Sequence, residues 1–115
     1  MKIEIKKIDG VDVVFLPSYI GKNDYGILRD LIGGLVASGQ MTVMVDCRQS
    51  TEGIPSAVLG VFCALGSLLH ERGGVLGLVG LSGHLKGLAK TISMDKYVAM
   101  FDSLDEAVKI CSEKI

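Results

Sequence analysis

The sequence predicts an α/β domain with a mixed five-stranded sheet, an N-terminal hairpin followed by alternating helices and strands, and about four helices. Three observations carry this. The opening residues alternate apolar with charged side chains on both sides of Asp9-Gly10, a dipeptide suited to a tight hairpin turn. A later run, Met41 to Asp46, is an almost continuous apolar stretch, the pattern of a strand buried on both faces, and Val75 to Val79 gives a further strand. The stretches between and after them carry apolar residues at helical spacing, which demands crossovers between parallel strands, right-handed by the usual preference.

In the first strand Ile3 and Ile5 alternate with Lys2, Glu4 and Lys6; Val11, Val13, Phe15 and Leu16 make the second. Pro17-Ser18 ends it. The Lys22-Asn23-Asp24 cluster offers a cap for a helix with Ile27, Leu28, Leu31, Ile32, Leu35 and Val36 on its apolar stripe, closed by Ser38-Gly39. Met41 to Asp46 is the third strand, RQSTEG a polar loop, and IPSAVLGVFCALGSLL a helix stopped by Glu71-Arg72-Gly73-Gly74. The fourth strand is Val75 to Val79, Ser82 caps a helix reaching about Ile92, and Tyr97 to Phe101 is a short fifth strand. Ser103-Leu104-Asp105-Glu106 is a capping box ahead of Ala107, Val108, Ile110 and Cys111 in the last helix.

The 115 residues suit one compact domain, 1–115, able to bury roughly two thirds of its unfolded surface without staples. A net charge of −1 without acidic or basic runs gives no footprint for nucleic acid. The cysteines, Cys47, Cys63 and Cys111, are odd in number and widely spaced, which argues against a disulfide framework or zinc site and for a reducing cytoplasmic setting. MKIEIKKIDG lacks the apolar core of a signal peptide, and Ile54 to Leu69 is shorter than the about 20 apolar residues a spanning helix needs, so no membrane insertion is expected.

Ser56 is the main candidate for function. It stands where a loop gives way to an apolar helix, opposite the positive end of the helix dipole and several unpaired N–H groups. A phosphate there would change the charge by roughly −1.5 to −2; the alternative is a plain N-cap. Beyond Ser56 the helix is apolar on nearly every face, through Val58, Leu59, Val61, Phe62, Leu65, Leu68 and Leu69. A helix on a sheet needs only a stripe, so this one suggests a contact with a partner protein or a second copy of the chain, a homodimer. Ala57, Gly60 and Ala64 form a small-residue row that would admit another backbone or pack on the protein's own sheet.

The remaining candidates are weaker. The LVGLSGHLKG turn, Gly80 to Gly83, suits an anion but lacks the full G-x-G-x-x-G or P-loop spacing, so no cofactor is expected. Lys86 and Lys90 share a helix face open to solvent or to an acidic partner, His70 and His84 have no companions at metal-ligand spacing, and Cys63 reads as a buried packing residue. No nucleophile, base and acid arrangement points to an enzyme.

IDGVDVVFL, VMVDC, GGVLGLVGLSGHLKGLAKTIS and MDKYVAMFDSLDEAV together give the chain a resemblance, nearly end to end, to the STAS family, whose soluble bacterial members are anti-sigma factor antagonists. That family carries an Asp-Ser-Ser-Gly-Leu-Gly type motif after the third strand. Aligned on Leu59-Gly60, the motif here reads PSAVLG, with Ser56 at the phosphorylated serine and Pro55, Ala57 and Val58 departing from the pattern. The resemblance implies a STAS-like single domain and partner switching. The unmodified antagonist holds an anti-sigma factor that is a serine kinase, and phosphorylation of Ser56 breaks the contact formed by Ile54, Pro55, Ser56, Ala57, Leu59 and Gly60. Two other functions stay open: a non-switching STAS scaffold or accessory subunit of a transporter or stress complex, and a small-molecule or nucleotide-binding module using the Gly80 to Gly83 turn.

Overall fold

Strands β1 (Glu4–Ile8), β2 (Val11–Phe15), β3 (Thr42–Asp46), β4 (Val75–Val79) and β5 (Val98–Phe101) form one sheet in that order in the computed structural model, which describes residues 2–112. β1 and β2 are antiparallel; every other neighbouring pair is parallel. The hairpin turn places Asp9 (φ 50) and Gly10 (φ 82) in the left-handed region, the geometry that Asp-Gly supplies at little steric cost. Helices α1 (Tyr25–Ala37), α2 (Ser56–Glu71), α3 (Gly83–Thr91) and α4 (Leu104–Ser112) complete the mixed α/β architecture expected from the sequence.

Period-two alternation divides the core. Val14, Leu16, Val43, Val45, Leu76 and Leu78 meet α1, α2 and α3 on one face; Val11, Val13, Met44 and Val79 meet Ala107, Val108 and Cys111 of α4 on the other. β3 is buried along its whole length because both faces are covered, which is why its sequence shows no polar alternation. β1 is the opposite case. It is an edge strand whose alternating Lys and Glu keep it solvated, and Ile5 is 43% exposed.

Several local expectations need correcting. Asp24 does not cap α1 through its side chain; its carboxylate accepts the Gly21 N–H at 2.8 Å and tightens the preceding turn. Ile27, placed on the apolar stripe, is 52% exposed because the stripe runs through Leu28, Ile32 and Val36. Cys63 is only partly buried. A 3₁₀ turn at Met94–Lys96, entered through Ser93 at φ 60, was not foreseen, and β5 starts at Val98, after Tyr97. Ser82 accepts the Leu85 N–H at 3.2 Å and Ser103 accepts the Glu106 N–H at 3.1 Å, as helix caps should.

One buried group stands out. Asp12 on β2 is 6% exposed, faces Lys7 across the hairpin at 3.7 Å, and its Oδ2 has no hydrogen-bond partner among the described residues.

Candidate functional site

The loop from Cys47 to Pro55 carries the chain from the end of β3 to α2, and its backbone is tied down at several points. Arg48 folds back on Asp46. Its Nε donates to Oδ1 and Oδ2 at 2.9 and 3.1 Å, its Nη2 to Oδ2 at 2.7 Å, and its backbone N–H to Oδ1 at 3.0 Å. The bidentate fork lets the Asp46 carboxylate be buried at the sheet end while the guanidinium remains half-exposed, and it holds Arg48 firmly charged. The Ser50 hydroxyl donates to the Pro17 carbonyl at 2.9 Å, joining this loop to the one that leaves β2. Gly53, at φ +95, turns the chain so that Ile54 enters the core.

Pro55 occupies the N-cap position (φ −59, ψ 147), and its carbonyl accepts the Val58 and Leu59 N–H groups at 3.0 and 3.2 Å. Ser56 is therefore the first helical residue and not the N-cap, which corrects the capping alternative. It is exposed, and its hydroxyl makes no hydrogen bond among the described residues. An esterified phosphate on it would project from the first turn of α2, where unpaired N–H groups and the dipole favour negative charge.

From Ser56 the outward face of α2 continues as an apolar groove. Ala57, Gly60, Val61, Ala64, Leu65 and Leu68 of α2 line it with Tyr25 and Arg29 of α1, around a volume of about 560 Å³. The small-residue row thus faces solvent and not the protein's own sheet: Ala57, Gly60 and Ala64 are exposed. Val58, Leu59, Phe62, Gly66 and Leu69 form the opposite, buried stripe. Ile54 is 8% exposed and Leu59 1%, so of the expected contact residues these two point into the core and support the surface from beneath, leaving Pro55, Ser56, Ala57 and Gly60 at it.

The other candidates lie elsewhere. The Gly80 to Gly83 turn leads into α3; Lys86 is ion-paired with Asp102, and Lys90 is exposed. His70, at the C-terminal end of α2, meets the Tyr97 ring edge-on at 5.8 Å, and His84 is exposed on α3. Burial pushes the Cys47 thiol up to about 12, with the Asp46 charge adding to the effect and the Val79 backbone opposing it. Among the described residues no group of His, Cys, Asp and Glu could hold a metal ion, and no helix is long and apolar enough to cross a membrane. Arg48, Ser50 and the α1 wall of the groove were missed in the sequence. The Asp46-x-Arg48 spacing was the one visible signal, since a loop can fold an arginine back onto the carboxylate two residues earlier.

The fold is that of STAS-domain proteins. A candidate anti-sigma factor antagonist from Thermotoga maritima superposes with a TM-score of 0.81 at 18% identity, covering 95% of this chain and 93% of its own. An anti-sigma-factor antagonist (STAS) domain protein from Planctomyces limnophilus gives 0.80 at 15% identity, over 96% and 97% of the two chains. A serine-to-glutamate variant of Moorella thermoacetica RsbS gives 0.72 at 14% identity, over 99% and 97%. No family model and no curated protein matches the sequence.

Proposed function

We propose that the protein is an anti-sigma factor antagonist that acts by binding, with Ser56 as the residue whose phosphorylation releases its partner, a serine kinase. The observation that carries this reading is the junction at Ser56: an exposed, uncommitted hydroxyl at the first turn of α2, directly continuous with the apolar groove through Ala57 and Gly60. Unmodified, that surface offers apolar area and a small-residue floor to a partner. A group of charge roughly −1.5 to −2 at its edge would have to be desolvated for the same contact to form, which disfavours the complex. The solved relatives named as antagonists support the choice of partner class, and the action calls for no catalytic residue.

Incubation with the anti-sigma factor kinase and ATP, followed by peptide mass spectrometry, tests the assignment. Label is expected on Ser56. Label on the exposed Thr51, or on no residue, would contradict it; Ser50 is not a competitor, being buried with its hydroxyl on Pro17.

A second reading rests on Pro55. It puts no carboxylate immediately before Ser56, which favours a constitutive scaffold or accessory subunit holding its partner through the same groove. Stable binding by both Ser56→Ala and Ser56→Glu would favour that form.

A further inference from the structure

A second concavity lies at the carboxyl ends of β3 and β4, enclosed by the Cys47–Ile54 loop, the Gly80–Ser82 turn and the first turns of α3, with a volume of about 390 Å³. Its lining holds both apolar side chains and hydrogen-bond donors, with the Ser50 and Ser82 hydroxyls already committed to Pro17 and to the α3 cap. Ile54, Leu81, Leu85 and Leu88 make an apolar wall, and Arg48, Thr51 and His84 bring N–H and O–H donors to the rim. No carboxylate is among the lining residues.

Two features hold Arg48 in place. The fork to Asp46 uses Nε and Nη2, leaving Nη1 without a hydrogen bond among the described residues. Gly80, at φ +76, has no side chain in the space the Arg48 stem occupies: a Cβ there would lie 2.4 Å from Arg48 Cγ. The glycine therefore permits the arginine to cross the end of β4. The positive end of α3 adds to the same rim: Ser82 caps the Leu85 N–H, which leaves the Gly83 and His84 N–H groups of the first turn without an intrahelical partner. Because Asp46 already balances the Arg48 charge, directed donors set the preference for an acceptor-rich group more than net charge does.

We propose that this cleft binds a small amphiphilic anion, with a carboxylate or phosphate head at Arg48, His84 and the start of α3 and an apolar body along Ile54, Leu81, Leu85 and Leu88. The volume lies at the small end of the range for ligand pockets, about 300–1,000 Å³. A nucleotide fits less well, since the lining offers no Phe, Tyr or Trp for a base and a single guanidinium for several phosphates. Binding here does not depend on the phosphorylation reading, although Ile54 makes the cleft and the Ser56 approach share one loop.

The test is an amide NMR titration of the ¹⁵N-labelled protein with octyl phosphate and octanoate, against octanol, inorganic phosphate and ADP. Saturable shifts at Arg48, Gly53, Gly80 and Leu85 are expected with at least one amphiphile, the tighter of the two identifying the head group. Octanol and inorganic phosphate should each bind about tenfold more weakly or worse. Arg48→Gln would strand the buried Asp46, so His84→Glu is the informative variant: it is exposed, and an acidic residue in the first turn of a helix preserves stability. It should weaken the amphiphile about tenfold at unchanged melting temperature. The proposal is overturned if neither amphiphile saturates, if the shifts fall in the groove between α1 and α2, if octanol binds as well, if ADP binds tighter, or if His84→Glu changes nothing.

Discussion

Gly60 and Gly66 occupy the same helix and should respond in opposite ways to one added methyl group. At Gly60 a Cβ meets nothing within 4 Å. Gly60→Ala then gains only the helix preference of alanine, about 0.8–1 kcal/mol of stability. At Gly66 the same Cβ would lie 2.5 Å from Val98 Cγ2 and 3.0 Å from the Tyr97 carbonyl oxygen, where α2 crosses the start of β5. Val98 is 2% exposed and the second obstacle is backbone, so relief requires α2 and β5 to separate. Overpacking of this kind costs about 1–3 kcal/mol, and two obstacles at once put Gly66→Ala near the upper end. After the alanine preference is subtracted it should be destabilised by about 2 kcal/mol, leaving a gap of about 3 kcal/mol between the two variants. At about 4 °C per kcal/mol for a domain of this size, thermal melts followed by circular dichroism should separate them by about 12 °C. Urea midpoints should agree at unchanged slope. Equal stability, or Gly66→Ala the more stable, would refute the close approach of α2 to β5. The stabilised Gly60→Ala also puts a methyl group on the groove floor, so weaker partner binding by a better-folded protein would locate the contact there.

Two further outcomes follow from buried groups. Replacing Asp12 by Val on β2 removes a carboxylate oxygen without a partner at a strand position suited to a β-branched side chain, and should raise unfolding stability by about 1–3 kcal/mol in urea titrations; a loss would show that the 3.7 Å pair with the exposed Lys7 contributes more than the unpartnered buried oxygen costs. Cys47, raised from 9.0 to about 12 in the fold, stays protonated while the unfolded thiol ionises. Its contribution is therefore intact below about pH 9 and is lost as pH climbs toward 12, at about 1.4 kcal/mol per pH unit. Subtracting the stability curve of Cys47→Ala isolates that slope, and a difference that stays flat above pH 9 would contradict the deep burial of the thiol.

The architecture was legible because its determinants are local. Asp9-Gly10 sets the hairpin, two-faced burial makes β3 and β4 continuously apolar, and Ser82 and Ser103 announce their helices. The all-round apolar character of α2 was legible too, but which half faces outward depends on where α1 lies, so Leu59 was assigned to the surface and Tyr25 and Arg29 were not seen as groove walls. The cap assignment at Ser56 failed by one position because Pro55, with its fixed φ, serves as the N-cap residue. Contacts between residues far apart in the chain, such as Ser50 with Pro17 or Arg48 with Gly80, have no periodicity to betray them.

The most direct test of the central claim is the affinity of the anti-sigma factor partner for Ser56→Ala and Ser56→Glu, measured side by side by calorimetry. If negative charge at the head of α2 governs release, Ser56→Ala should bind as the unmodified protein does and Ser56→Glu about a hundredfold more weakly, a difference of about 2.7 kcal/mol. Equal affinities would contradict the account and leave the groove without its switch.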